Sequence, residues 1–113
     1  MNISIDFNGT YTEHKIFFDE MAKSMQKSGH KVGIITGERE TKRKEIEEAL
    51  GFAPDFMRLW GEFETIANGN LWKAERLDEE DVLVHFDDDA KELKRYTGRW
   101  IIKTLNSGEV NKF

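Results

Sequence analysis

Apolar residues fall into short runs separated by charged stretches, and their spacing changes from one run to the next. Ile3 and Ile5 mark a short strand over Asn2 to Ile5 that ends at Asp6. From Glu13 to Lys27 the positions Phe17, Met21 and Met25 recur at helical spacing, and Gly29 stops the helix. Thr10 and Glu13 have the spacing of a capping box, while Thr12 is an equally good cap residue, which leaves the helix start open by a turn. Lys31 to Thr36 is apolar on both parities, as expected of a central parallel strand covered on both faces. Glu38 to Leu50 reads as a charged helix with one narrow stripe, Ile46, Ala49 and Leu50, closed by Gly51.

Pro54 keeps helix out of Phe56 to Trp60, a third strand. Gly61 to Asn70 has no clear period, Asn68-Gly69-Asn70 is a turn signal, and Leu71 to Leu77 predicts a short helix. Val82 to Phe86 is a second continuous apolar strand, ending in Asp87-Asp88-Asp89. A helix over Ala90 to Tyr96 follows, then Gly98, a last strand over Trp100 to Ile102, and a polar tail from Asn106 to Phe113 expected to fray. This alternation predicts an α/β fold: one domain over residues 1–113, with a Rossmann-like, open, mostly parallel five-stranded sheet and helices on both faces. Such sheets bind ligands beyond the carboxyl ends of their strands, where the strand order reverses. Asp6, Thr36 and the pair Asp87-Asp88 all fall at predicted strand ends.

Composition narrows the chemistry. With no cysteine, the chain has no disulfide, thiolate metal site or cysteine nucleophile, so a metal must be held by oxygen or histidine. No stretch is apolar for long enough to span a bilayer, and Asp6 interrupts the N-terminus too early for a signal peptide, so a cytoplasmic protein is expected. The formal charge of −5 argues against a broad phosphate-backbone footprint; a polynucleotide end would need a local basic patch. Lys42-Arg43-Lys44 alternates with Glu38, Glu40, Glu45, Glu47 and Glu48, and reads as a solvated helix face with opposite-charge pairs. His14, His30 and His85 lack ligand or triad spacing; His85, inside an apolar strand, is expected to be a hydrogen-bonded core residue.

Asp6-Phe7-Asn8-Gly9-Thr10 after the first strand, Thr36 ending the second, Lys73 before the fourth and Asp87-Asp88 ending it occur in a fixed order. In loops and order the chain resembles the haloacid-dehalogenase-like (HAD) superfamily, whose first loop reads Asp-x-Asp-Gly-Thr. The resemblance covers residue 2 to about residue 103 and implies a HAD-like core. It implies that Asp6 is a nucleophile that forms an aspartyl-phosphate, that Thr36 and Lys73 contact the phosphoryl group, and that Mg2+ is held by Asp6, the backbone carbonyl of Asn8, and Asp87-Asp88. The activity implied is a Mg2+-dependent phosphomonoesterase. Its partner would be a phosphorylated substrate, either a small molecule or a macromolecular end. Between Thr10 and Glu13 there is no room for a lid domain, and between Trp60 and Lys73 there is space only for a short loop or helix. This resembles the capless branch, whose members often take large substrates or borrow a lid from a neighbouring subunit. Trp60, Phe63 and Trp72 are candidates for an open cleft or an oligomer contact, with at least two of them expected in the core.

Asn8 departs from the family loop, where the second Asp handles the proton. An amide still offers its backbone carbonyl but cannot donate and recover a proton, a role worth about 100- to 10,000-fold in rate. Dehalogenases, phosphonatases and P-type ATPases of the superfamily also replace this Asp. Asn8 before Gly9 is also a deamidation candidate; conversion to Asp would restore the motif, and intact mass with peptide mapping tests it. The rival readings are a catalytically silent domain that binds phosphate or a protein partner through the same pocket, and a receiver-like domain phosphorylated on Asp55. For Asp6 the plain alternative is a turn cap, and for Asp87-Asp88-Asp89 it is capping of the following helix.

Overall fold

A computed structural model describes residues 1–61 and 69–106. Five strands, β1 (Asn2–Ile5), β2 (Lys31–Arg39), β3 (Met57–Trp60), β4 (Val82–Asp87) and β5 (Trp100–Lys103), form one sheet in the order β3-β2-β1-β4-β5. Every neighbouring pair is parallel. This is the open α/β class that the alternation predicts. The helices are α1 (Lys15–Lys27), α2 (Arg43–Ala49), α3 (Gly69–Glu79) and α4 (Ala90–Leu93). No helix among the described residues is long and apolar enough to cross a membrane.

β2, apolar on both parities, is buried on both faces from Val32 to Thr36, whereas β4 leaves Leu83 exposed near its start and Val84 and Phe86 half-buried. On one face Ile3, Ile5, Val32 and Ile34 pack with Phe18 and Ala22 of α1, Tyr11 and Phe52. On the other, Ile35, Val82 and Ile101 pack with Trp72, Ala74 and Leu77 of α3 and with Ala90 and Leu93 of α4. Trp72 is fully buried and Trp60 packs against this second core, as expected; Phe63 lies outside the described residues. The ambiguous stretch before α3 falls largely at 62–68 and most of the tail at 107–113, both outside them.

Several element boundaries differ from the sequence pattern. Helix α1 starts at Lys15 rather than Glu13 because Thr10 and Thr12 are engaged in the preceding turn, where Gly9 N donates to Thr12 Oγ1 at 3.0 Å. The second strand continues through Gly37 and Glu38 to Arg39, which pairs with Trp60 past an irregularity, so α2 begins only at Arg43. Gly69 and Asn70 open α3 instead of turning. Helix α4 closes at Leu93, short of Tyr96. The basic cluster lies as the charge pattern suggests, with Lys42 paired to Glu45 at 3.3 Å and Arg43 to Glu40 at 2.5 Å.

Gly33 shows how tightly the sheet meets its loops. A Cβ there would stand 2.4 Å from the Phe56 carbonyl oxygen and 2.3 Å from its ring. Gly33→Ala is therefore expected to cost about 1–3 kcal/mol in a urea titration, because backbone rather than a flexible side chain must yield.

Candidate active site

In the order β3-β2-β1-β4-β5, connections run outward one way from β1 through β3 and the other way from β4, so the direction reverses between β1 and β4. The crevice lies beyond their carboxyl ends. There Asp6 continues β1, its N–H donating to the Phe86 carbonyl at 2.9 Å, while Asp87 ends β4. Carboxylate oxygens of Asp6, Asp87 and Asp88 all lie within 4.8 Å of one another. The chain joins them with a wide turn over Phe7–Tyr11, closed by Tyr11 N to Asp6 O at 3.2 Å and Thr12 N to Phe7 O at 3.1 Å. Gly9 takes φ +78° in this turn, and a Cβ there would come within 2.6 Å of Asp88 Oδ2. Glycine is thus required twice over, by its left-handed backbone and by the carboxylate above it.

From the other face α3 inserts Lys73. Its ammonium bonds Asp87 Oδ2 at 2.7 Å and Asp6 Oδ1 at 3.4 Å, with both partners buried. Thr10 Oγ1 donates toward Asp88 Oδ1 at 3.2 Å or Asp6 Oδ2 at 3.4 Å, and accepts from Asp88 N at 3.0 Å. Thr36 is buried at the end of the regular part of β2, on the Asp6 side of the crevice, and its Oγ1 accepts Glu38 N at 3.5 Å. The structure thus brings together Asp6, Thr36, Lys73, Asp87 and Asp88. Asn8 lies on the exposed side of the turn, and its side-chain amide donates to Glu38 rather than to the carboxylate cluster.

Neither Asp6 at the turn nor Asp89 at α4 makes a side-chain capping bond, while Asp87 Oδ1 accepts Asp89 N at 3.0 Å just ahead of α4, a local turn bond beside its bonds to Lys73 and His85. Asp55 belongs to the opposite end of the sheet, where its carboxylate accepts Val32 N at 2.8 Å; among the described residues the acidic cluster is at Asp6, Asp87 and Asp88 instead, away from the phosphoacceptor of a receiver-like reading.

Electrostatics separate the two buried acids. Burial pushes Asp6 up to about 7; Lys73 and Thr36 oppose the rise, while Asp87 and Asp88 add to it. Burial acts the same way on Asp87, yet the bond to His85 and the Lys73 charge overcome it and hold this carboxyl well below the usual range. Lys73 stays charged: burial would lower its pKa, but Asp6 and Asp87 raise it further. Three carboxylates and one ammonium leave two negative charges when all are ionised, the charge of one divalent cation. An all-oxygen donor set of this kind fits the hard ion Mg2+.

Sequence reasoning missed two supporting residues. Ser4 Oγ lies 2.6 Å from His85 Nδ1, and His85 Nε2 lies 2.9 Å from Asp87 Oδ2, all fully or nearly fully buried. His85 is a hydrogen-bonded core residue as expected, and it also orients Asp87. The available signal was a polar residue inside each of two apolar strands. The register that sets Ser4 opposite His85 is not written in a single sequence.

Fold and site together define an open, all-parallel α/β protein with a lysine-bridged carboxylate cluster at its switch point. Compared with family models, curated proteins and solved structures, the chain matches none.

Proposed function

We propose that this protein is a capless, HAD-like phosphohydrolase that cleaves phosphomonoesters through an aspartyl-phosphate on Asp6. The observation that carries this reading is a buried carboxylate at the switch point, with Lys73 at 3.4 Å and two further acids beside it. Mg2+ held by Asp6, Asp87-Asp88 and the Asn8 carbonyl would offset repulsion between anionic nucleophile and anionic ester.

An Asp6 oxygen attacks phosphorus in line, and the P–O bond to the organic group breaks with its electron pair. The leaving oxygen takes a proton from solvent, since Asn8 has none to give. Lys73 and Thr36 hydrogen-bond the phosphoryl oxygens as charge spreads over them. Water then attacks phosphorus, the aspartyl oxygen leaves, and inorganic phosphate and the Asp6 carboxylate are released. Phosphate release from an aryl phosphate is expected to need Mg2+ and to disappear in Asp6→Ala. Release that survives Asp6→Ala would remove the reading.

One observation favours a silent phosphate- or partner-binding domain instead: residue 8 has no carboxyl, and its amide is engaged by Glu38. On that reading the parent shows no turnover and Asn8→Asp does.

A further inference from the structure

We propose that the α4–β5 edge of the sheet binds single-stranded polynucleotide and presents its terminal phosphate to the carboxylate cluster; the second half of this statement rests on the phosphohydrolase reading. Residues 91–103 carry Lys91, Lys94, Arg95, Arg99 and Lys103 against Glu92 within the segment. Arg99 is paired from outside it with Asp78 at 2.7 Å and Asp81 at 3.5 Å, and Arg95 with Glu92 at 3.6 Å, which leaves the segment a local cationic excess inside a chain whose formal charge is −5. All but Arg99 of these cations are exposed. Among them stands Trp100, 67% exposed on an edge strand, with Tyr96 also on the surface. Lys94, Arg99, Trp100 and Ile102 line one cavity of about 470 Å³, within the size range of sites that hold a small ligand and large enough for a nucleobase on the indole. A cationic track with an aromatic platform is the chemistry that binds single strands without sequence preference, since phosphates meet the cations and every base has a face to stack.

Connectivity joins this surface to the site. Helix α4 departs directly after Asp89, and β5 returns so that Lys103 Nζ donates to the Asp88 carbonyl at 2.7 Å and Thr104 N to the Asp87 carbonyl at 3.2 Å. Trp100 stands three strand residues before Lys103, about 10 Å away at ~3.3 Å per residue. A bound strand laid along β5 therefore runs toward Asp88. A second copy of the chain fits this face less well, because a two-fold contact centred on Trp100 would bring the same excess of cations together from both copies.

The test is fluorescence anisotropy of a labelled, 5′-phosphorylated oligothymidylate with the full chain in EDTA, which prevents turnover. Binding is expected to weaken steeply with salt, to fall about 5- to 150-fold in Trp100→Ala, and to lose about one unit of salt slope for each of Lys94→Ala and Arg95→Ala. No binding at about 50 mM salt, where such contacts are strong, overturns the proposal. So does binding indifferent to these substitutions, or equal affinity for a polyglutamate peptide. Self-association abolished by Trp100→Ala, with oligonucleotide binding unchanged, assigns the face to a second copy instead. Turnover of a small aryl phosphate by Trp100→Ala should match the parent's. If the parent binds the oligonucleotide but hydrolyses no phosphoester, the phosphohydrolase reading falls while the binding surface stands.

Discussion

Replacing Lys73 with methionine is expected to destabilise the metal-free protein by about 3–5 kcal/mol at pH 8, the cost typical of stranding buried charges after one partner of an ion pair is removed. Asp6 and Asp87 share this single ammonium, both are buried, and Asp88 lies close enough to repel them. The loss should shrink at pH 5, where the stranded carboxyls take up protons. The parent has a pH dependence of its own. The Asp6 pKa is raised in the folded state from 3.8 to about 7, so its contribution is complete below its unfolded value and is lost as pH rises through about 7. Asp87 is depressed, and its contribution is present above its unfolded value and lost as pH falls below it. Asp6→Asn removes the alkaline loss, so this variant is expected to exceed the parent in stability at pH 8 and to lose that advantage near pH 5. Urea titrations in EDTA at the two pH values measure both effects. A Lys73→Met penalty that does not depend on pH would mean that the carboxylates are not what the lysine compensates.

Asn8→Asp should raise turnover of alkyl phosphates by about 100- to 10,000-fold, the usual worth of a positioned proton donor, and change aryl phosphate turnover little. Alkoxides leave poorly without a proton, whereas aryloxides are already good leaving groups. Glu38 strengthens the expectation. The Asn8 amide donates to it, so a carboxyl at residue 8 would face a second carboxyl, and such neighbours retain a proton between them to higher pH. Steady-state kinetics on an alkyl and an aryl ester separate the cases. An equal gain on both would place the benefit in binding or metal affinity rather than in proton transfer.

Much of the frame was legible because β2 and β4 are apolar on both parities, which only a sheet covered on two sides requires. Legibility failed where tertiary pairing outweighed local preference. Glu38 and Arg39 look helical beside the charged run that follows, yet Arg39 extends β2 by pairing with Trp60. Asp6, Asp87 and Asp88 were readable as strand-end acids. Lys73 was readable only from motif order, because nothing local separates it from other surface-like lysines; its burial comes with its place on α3 between buried Trp72 and Ala74, against Asp6 and Asp87. Ser4 and His85 were invisible as a pair, since their hydrogen bond spans 81 positions of sequence. Glu38 was read only as part of a charged face, because its contact with Asn8 depends on how the Phe7–Tyr11 turn meets the end of β2.

That central position of β1 also sets the order in which the molecule comes into being. As the chain leaves the ribosome, β1, β2 and β3 can assemble with α1 and α2, but Asp6 gains Lys73 only with α3, and Asp87 and Asp88 only with β4. Contacts of such long sequence separation form late, after the entropy of closing the intervening loop has been met. An unfinished chain therefore carries Asp6 in water, as an ordinary surface aspartate with no pocket around it.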